Sequence, residues 1–182
     1  MPLLRAESVL DVLNIVLADV RYGLGPYTAI YLLTEHGWNE AGIALAFSFG
    51  SIVGLVTQGP VGALIDIVRM KRALLSGSVA IATMTSFLII VAPRFWVVAA
   101  AGVIGAFAGA IMEAAITAIT LGIVGRARFA RRVARNEALF HGGNVVINIL
   151  ILAAAPFLGL KLVFWMLALA GLASVVTALA IP

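Results

Sequence analysis

The chain has 182 residues, of which 63% are apolar and 11% charged, with a formal net charge of +4. A typical soluble domain is about 45–50% apolar and about 25% charged, so the composition excludes an ordinary soluble fold and points to lipid as the solvent. The absence of cysteine excludes a disulfide scaffold, Fe–S clusters and thiol chemistry. The positive charge lies in short stretches beside apolar runs, where it meets anionic head groups rather than nucleic acid.

A bilayer core about 30 Å thick takes about 20 apolar residues per helix. The chain reads as six such segments, at about residues 11–33, 41–65, 73–92, 95–125, 136–158 and 162–181. The runs are continuous and rich in Ala, Leu and Gly, not the alternating stretches of about 10 residues found in outer-membrane strands. The expectation is therefore an all-α, integral membrane six-helix bundle forming one transmembrane domain over residues 1–182. The first run is too long and too polar in its middle for a cleaved signal peptide.

The first segment is the least lipid-like, because it carries Asn14, Asp19 and Arg21. An ionisable group at bilayer centre costs several kcal/mol, so Asp19 and Arg21 must face protein or water. They are two residues apart and do not share a helix face well, so each needs its own partner. Two readings fit them, a structural ion network and a substrate or ion pathway. Gly23, Gly25 and Pro26 predict a kink or local unwinding where a cavity re-satisfies the backbone, and Tyr27 follows directly. The linker 34–40 holds Glu35, His36 and Glu40 but no Lys or Arg; Trp38 suits the interfacial aromatic belt.

Gly50 and Gly54 lie one turn apart in the second segment, a spacing that lets helices approach closely. Its end, Gly59 to Arg72, runs through Gly62 and Asp66 and closes on Arg69, Lys71 and Arg72. The third segment is twenty residues without a charge, Ala73 to Ala92, and its hydroxyls are expected to bond back to their own helix. In the fourth, Gly102, Gly105 and Gly109 line one side, so this helix also packs closely against another. Its sole charge, Glu113, falls well inside. A lone buried carboxylate either pairs with a cation or takes up and releases a proton. Arg21 is the best available partner, which leaves proton or substrate coupling and a static Arg21–Glu113 brace both open.

Arg126, Arg128, Arg131, Arg132 and Arg135 fall within ten residues, as in an amphipathic stretch lying on anionic lipid. The fifth segment opens with Asn136, Glu137 and His141. Asn144 and Asn148, four apart, share a face and suit either a polar solute or another helix. Pro156 closes this segment; after Lys161 the sixth is nearly pure apolar. Under the positive-inside rule the 66–72 and 126–135 stretches are cytoplasmic, as are both termini. The first and fourth segments both carry charge in mid-membrane, at equivalent places in two three-helix sets of opposite orientation. That is the pattern of an inverted 3+3 repeat.

Gly62, Asp66, Arg69, Lys71 and Arg72 are similar to the signature between the second and third helices of the major facilitator superfamily. Met70 stands where that family usually has Gly. The tracts Asp19–Tyr27 and Arg135–Asn144 also resemble those of drug-efflux-like bacterial members. The chain as a whole resembles one N-terminal-like six-helix half of that fold. The resemblance implies a secondary transporter of the bacterial inner membrane, not an enzyme, with no cofactor or metal, moving a small solute by alternating access. Proton-coupled antiport is among the modes it implies, although many proton-coupled members have an Arg in the fourth helix, where this chain offers Glu113. Six helices make only one of the two bundles required, so the expectation is a parallel homodimer. Asp19, Arg21, Tyr27, Glu113, Asn144 and Asn148 would line its pathway. By the same resemblance Asp66 braces the start of the partner's fifth helix, around Arg135 and Asn136. Arg126, Arg128, Arg131 and Arg132 are expected on anionic lipids. The alternative is a non-transporting assembly subunit or an inactive half of a larger transporter.

Overall fold

The computed structural model describes residues 2–22, 25–159 and 161–181. The chain begins with helices α1 (Pro2–Tyr22) and α2 (Gly25–His36), and the expected kink at Gly23 and Leu24 lies outside the described residues. They are followed by α3 (Glu40–Ile67), α4 (Lys71–Val91), α5 (Phe95–Leu158) and α6 (Lys161–Leu179). No strand occurs among the described residues.

Local sequence explains most of the helix ends. The Asn39 side chain caps α3 by accepting from the Gly42 N–H at 2.7 Å, satisfying one of the free amides of the first turn. Pro93 stands just past the end of α4, as expected of a residue that cannot continue a helix. Helix α1 starts at Pro2, well before residue 11, because its polar first turns find arginine partners on α5.

The long helix α5 departs from the expected layout. Residues 126–135 are helical, and the only non-helical residue between 95 and 158 is Gly125, at φ 69° and ψ 172°. That left-handed conformation is readily open to glycine alone. The stretch after it is rich in Arg and Ala, among the best helix formers, so no loop forms, and the helix that holds the fifth segment starts at 126. Residues 95–124 and 126–158 are called the first and second arms of α5.

Among the described residues, three helices are long and apolar enough to cross a membrane: Glu40–Ile67, Lys71–Val91 and Phe95–Phe157. The last is 63 residues long, about 95 Å at 1.5 Å per residue, which two crossings broken at Gly125 accommodate. Val163–Leu179 is a shorter apolar helix. Large apolar side chains face outward, with Leu55 and Leu152 each 77% exposed, as suits a surface covered by lipid tails.

The main packing partners are α3 with α5, α4 with α5, α1 with α5, α4 with α6, and α1 with α6. Glycines resolve which arm is meant. A Cβ placed on Gly50 of α3 would lie 2.8 Å from the Gly102 carbonyl oxygen on the first arm. One placed on Gly143 of the second arm would lie 2.7 Å from the Ile15 carbonyl oxygen of α1. Numbering the spans one to six, the second rests on the fourth and the fifth on the first. Exchanging one with four, two with five and three with six turns the main contacts into one another. The two three-helix sets thus make equivalent contacts, as the inverted three-plus-three expectation requires. Since lipid tails are as apolar as leucine, such close backbone contacts, not hydrophobic burial, hold the helices together.

Candidate functional site

Arg21, in the last turn of α1, sits at the junction of both arms of α5. Its Nη2 donates to Glu113 Oε1 at 2.5 Å and its Nη1 to Glu137 Oε1 at 3.3 Å. The guanidinium carbon lies 4.6 Å from the centre of the Phe140 ring, close enough for cation–π attraction. His141 Nε2 stands 3.9 Å from Glu137 Oε2. The Arg21 side chain is only 12% exposed, whereas Glu113 and Glu137 are 54% and 45% exposed. The geometry follows from the break in α5: Glu113 precedes Gly125 by twelve residues and Glu137 follows it by twelve. Each carboxylate is therefore about 18 Å along its arm from the break, and the two reach the same depth.

The Arg21–Glu113 pairing matches the partner that sequence suggested. Glu137 did not stand out there, since with residues 126–135 taken as a loop it fell at a helix entrance. The signal that would have found it is the equal spacing about Gly125.

A second group links the first and fifth spans. The Tyr27 hydroxyl donates to Asn148 Oδ1 at 2.7 Å, and Asn148 Nδ2 donates to the Asn144 backbone oxygen at 2.7 Å and to Asn144 Oδ1 at 3.0 Å. Asn144 Nδ2 in turn donates to the Ala18 carbonyl at 3.4 Å. The three expected pathway residues thus form one chain of hydrogen bonds. Tyr27→Phe removes its first donor and should cost about 1 kcal/mol, read as a small drop in the thermal midpoint; an unchanged midpoint would mean that the bond contributes nothing. Asp19 stands apart. It is buried, and its Oδ2 has no hydrogen-bond partner among the described residues, nor does it pair with Arg21.

A cavity of about 520 Å³ opens between α1, α2, α3, α4 and the first arm of α5, within the range of small-molecule sites. Arg21 and Glu113 reach its wall, Gly50, Gly54, Gly102 and Gly105 hollow it out, and Thr28 and Gln58 add polar groups. Sequence reasoning did not assign Thr28 or Gln58 to a site. The Ser51, Thr85 and Ser86 hydroxyls, also on the lining, bond back to Phe47 and Ala82 carbonyls of their own helices.

At the opposite end of α3, Lys71 Nζ donates to the Ile65 and Asp66 carbonyls at 2.7 and 3.4 Å, closing the C-terminus of the helix. Arg72 Nη1 donates to the Ile181 carbonyl. The Asp66 and Arg69 side chains are exposed and have no hydrogen-bond or ion-pair partner among the described residues. Gly62 has open space where a side chain would point.

The basic stretch is largely spoken for within the bundle. Arg132 is 5% exposed, donating to Asp11 Oδ1 at 2.7 Å, to the Glu7 carbonyl and to Asn136 Oδ1. Arg135 grips the same Asp11 carboxylate at 2.7 and 3.1 Å. Arg128 pairs with Glu7 at 2.9 Å. Asn136 is buried and donates to the Thr120 hydroxyl at 3.0 Å. The expectation that Arg128 and Arg132 face lipid, and that Arg135 and Asn136 face a partner bundle, therefore meets groups already engaged by α1 and α5. Arg126 and Arg131 stay exposed.

The family model described as Major Facilitator Superfamily matches residues 11–182. Two curated relatives, described as uncharacterized MFS-type transporters and coming from two strains of Mycobacterium tuberculosis, are each 40% identical over 178 residues. The match takes in 98% of this chain but 43% of each relative, so the chain spans less than half their length. No solved structure matches.

Proposed function

The chain belongs to the major facilitator superfamily, and from that premise we propose that it is one bundle of a secondary transporter that moves a small solute by alternating access. The second bundle is a second copy of the chain, arranged parallel about a two-fold axis along the membrane normal. Arg21, Glu113 and Glu137 recognise charge on the solute or carry coupling protons, and Tyr27, Asn144 and Asn148 contact it. With the 66–72 turn and both termini on the cytoplasmic side of a bacterial plasma membrane, the cavity lies in the outer half of the bundle, away from that turn.

One observation carries this reading. Glu113 and Glu137 are about half exposed at a depth of about 18 Å from the break, where a carboxylate facing lipid tails would cost several kcal/mol. That face must front water or a second protein surface. It is the face on which a partner bundle would enclose a polar pathway.

The rival is an assembly subunit or an inactive half, in which the Arg21 brace stays closed; the 12% exposure of Arg21 favours it. Mass measurement of the lipid-bound particle followed by flux in proteoliposomes separates them. A particle of twice 19.0 kDa with saturable flux supports the transporter, and a monodisperse monomer without flux refutes it. The unpaired Asp66 carboxylate is assigned the gate. Asp66→Asn should shift cross-linking between the two copies toward the inward-open form and lower flux about tenfold, as loss of about 1.4 kcal/mol would. Unchanged cross-linking and flux would remove Asp66 from the gate.

A further inference from the structure

Hydrogen-bonding groups on the cavity wall divide unevenly between donors and acceptors. The Ser51, Thr85 and Ser86 hydroxyls stand on the lining, and each donates to a carbonyl of its own helix. A hydroxyl has one O–H and two lone pairs, so these three offer the cavity acceptors only. Arg21 turns its Nη groups to Glu113 Oε1 and Glu137 Oε1, which leaves Glu113 Oε2 as a further acceptor.

Two side chains on the wall are uncommitted. Thr28, on α2, is 4% exposed, and its hydroxyl makes no hydrogen bond among the described residues. A buried polar group without a partner forfeits its hydration for nothing in return. Gln58, on α3, lines the same space and is also unbonded among the described residues. Its depth follows from the contact of α3 with the first arm of α5. A Cβ on Gly50 would meet Gly102, and one on Gly54 would meet the Ala106 Cβ at 3.6 Å. One turn further, the same register sets Gln58 beside Ala110, which also lines the cavity. Gln58 and Glu113 therefore differ in depth by about 4.5 Å. Thr57, next to Gln58 in the chain, instead donates to the Val53 and Gly54 carbonyls and lies off the lining.

We infer that Thr28 and Gln58 select the solute, and that the solute is a polar compound rich in N–H or O–H donors, an amine or a polyol. This rests on the reading of the cavity as a solute site. It adds to the contacts assigned to Tyr27, Asn144 and Asn148, whose groups here engage one another. A donor-rich solute replaces in kind the water that these acceptors give up. One without donors leaves them unpaired, and a site built to hydrogen-bond its ligand rejects such an analogue by a wide margin.

Ligand-observed NMR titration of the full chain in lipid nanodiscs tests this without measuring flux. The probes are spermidine, whose donors are N–H groups, sorbitol, whose donors are hydroxyls, and tetraphenylphosphonium, which has neither. Spermidine or sorbitol should bind, and which of them does so tells amine from polyol. Tetraphenylphosphonium should show only the uptake of empty nanodiscs. Thr28→Val and Gln58→Leu, each close in shape to the residue replaced, should weaken binding about tenfold, as one buried hydrogen bond left unmade would. Thr28→Ser, which keeps the hydroxyl, and Thr57→Val should bind as the parent chain does. If Thr28→Val loses helical circular dichroism, Gln58→Leu carries the test.

Binding of neither donor probe overturns the inference. So does tetraphenylphosphonium binding in their place, or a Thr57→Val loss as large as that of Gln58→Leu. The expected pattern in a chain that shows no flux supports the inference and counts against transport alone.

Discussion

Arg21→Gln should destabilise the bundle by about 2 kcal/mol, more than either Glu113→Gln or Glu137→Gln. Removing one partner of a buried ion pair costs about 3–5 kcal/mol, and the half-exposure of the two carboxylates lowers this through solvent screening. The asymmetry comes from the arrangement. One guanidinium serves two carboxylates, so its loss leaves both uncompensated and facing each other. Loss of either carboxylate leaves Arg21 with the other and with the Phe140 ring. Each glutamine variant should therefore cost about 1 kcal/mol or less. Thermal unfolding of the three single variants and the Arg21→Gln/Glu113→Gln double variant measures this. Equal costs for all three single variants would show that the cluster is not organised around Arg21.

Gly50→Ala should destabilise by about 1–3 kcal/mol, the range for overfilling a packed interior. Intrinsic helix preference runs the other way, since Ala is favoured over Gly by about 1 kcal/mol within a helix. Packing wins because the added methyl would stand 2.8 Å from the oxygen and 2.9 Å from the carbon of the Gly102 carbonyl. Those are backbone atoms and cannot rotate away, so the two helices must separate. The effect is one-sided. A methyl on Gly102 would meet Gly50 Cα at 3.9 Å, and one on Gly109 would meet nothing within 4 Å. Gly102→Ala and Gly109→Ala should be neutral or mildly stabilising. A Gly50→Ala protein with a thermal midpoint as high as that of Gly109→Ala would show that α3 and α5 are not pressed together there.

Charge and helix periodicity made much of this legible from the chain alone. Arg21 was identifiable as the partner of Glu113 because no other cation lies far from a membrane boundary. The four-residue spacing of Asn144 and Asn148 placed them on one face, and there they share hydrogen bonds with each other. Contacts across great separation were not legible. Asp11 takes Arg132 from 121 positions away, and nothing near the arginines in sequence reveals a competitor to lipid for them. The same holds for Tyr27, whose partner Asn148 is also 121 positions distant. The extent of the fifth helix was not legible for a different reason: clustered charge suggested a separate amphipathic stretch on anionic lipid, while arginine and alanine have strong intrinsic preference for the helix.

The single-residue break at Gly125 divides the stretch from Glu113 to Glu137 into a pair of levers of equal length. Side chains at their ends meet Arg21 only while both levers keep the same count of residues. One residue inserted anywhere between Glu113 and Glu137 would turn one carboxylate by about 100° and displace it by about 1.5 Å, carrying it off the guanidinium. Substitutions along these stretches can be absorbed one at a time. A change in their length cannot, and the spacing of 24 residues from Glu113 to Glu137 is as much a part of the site as the charges at its ends.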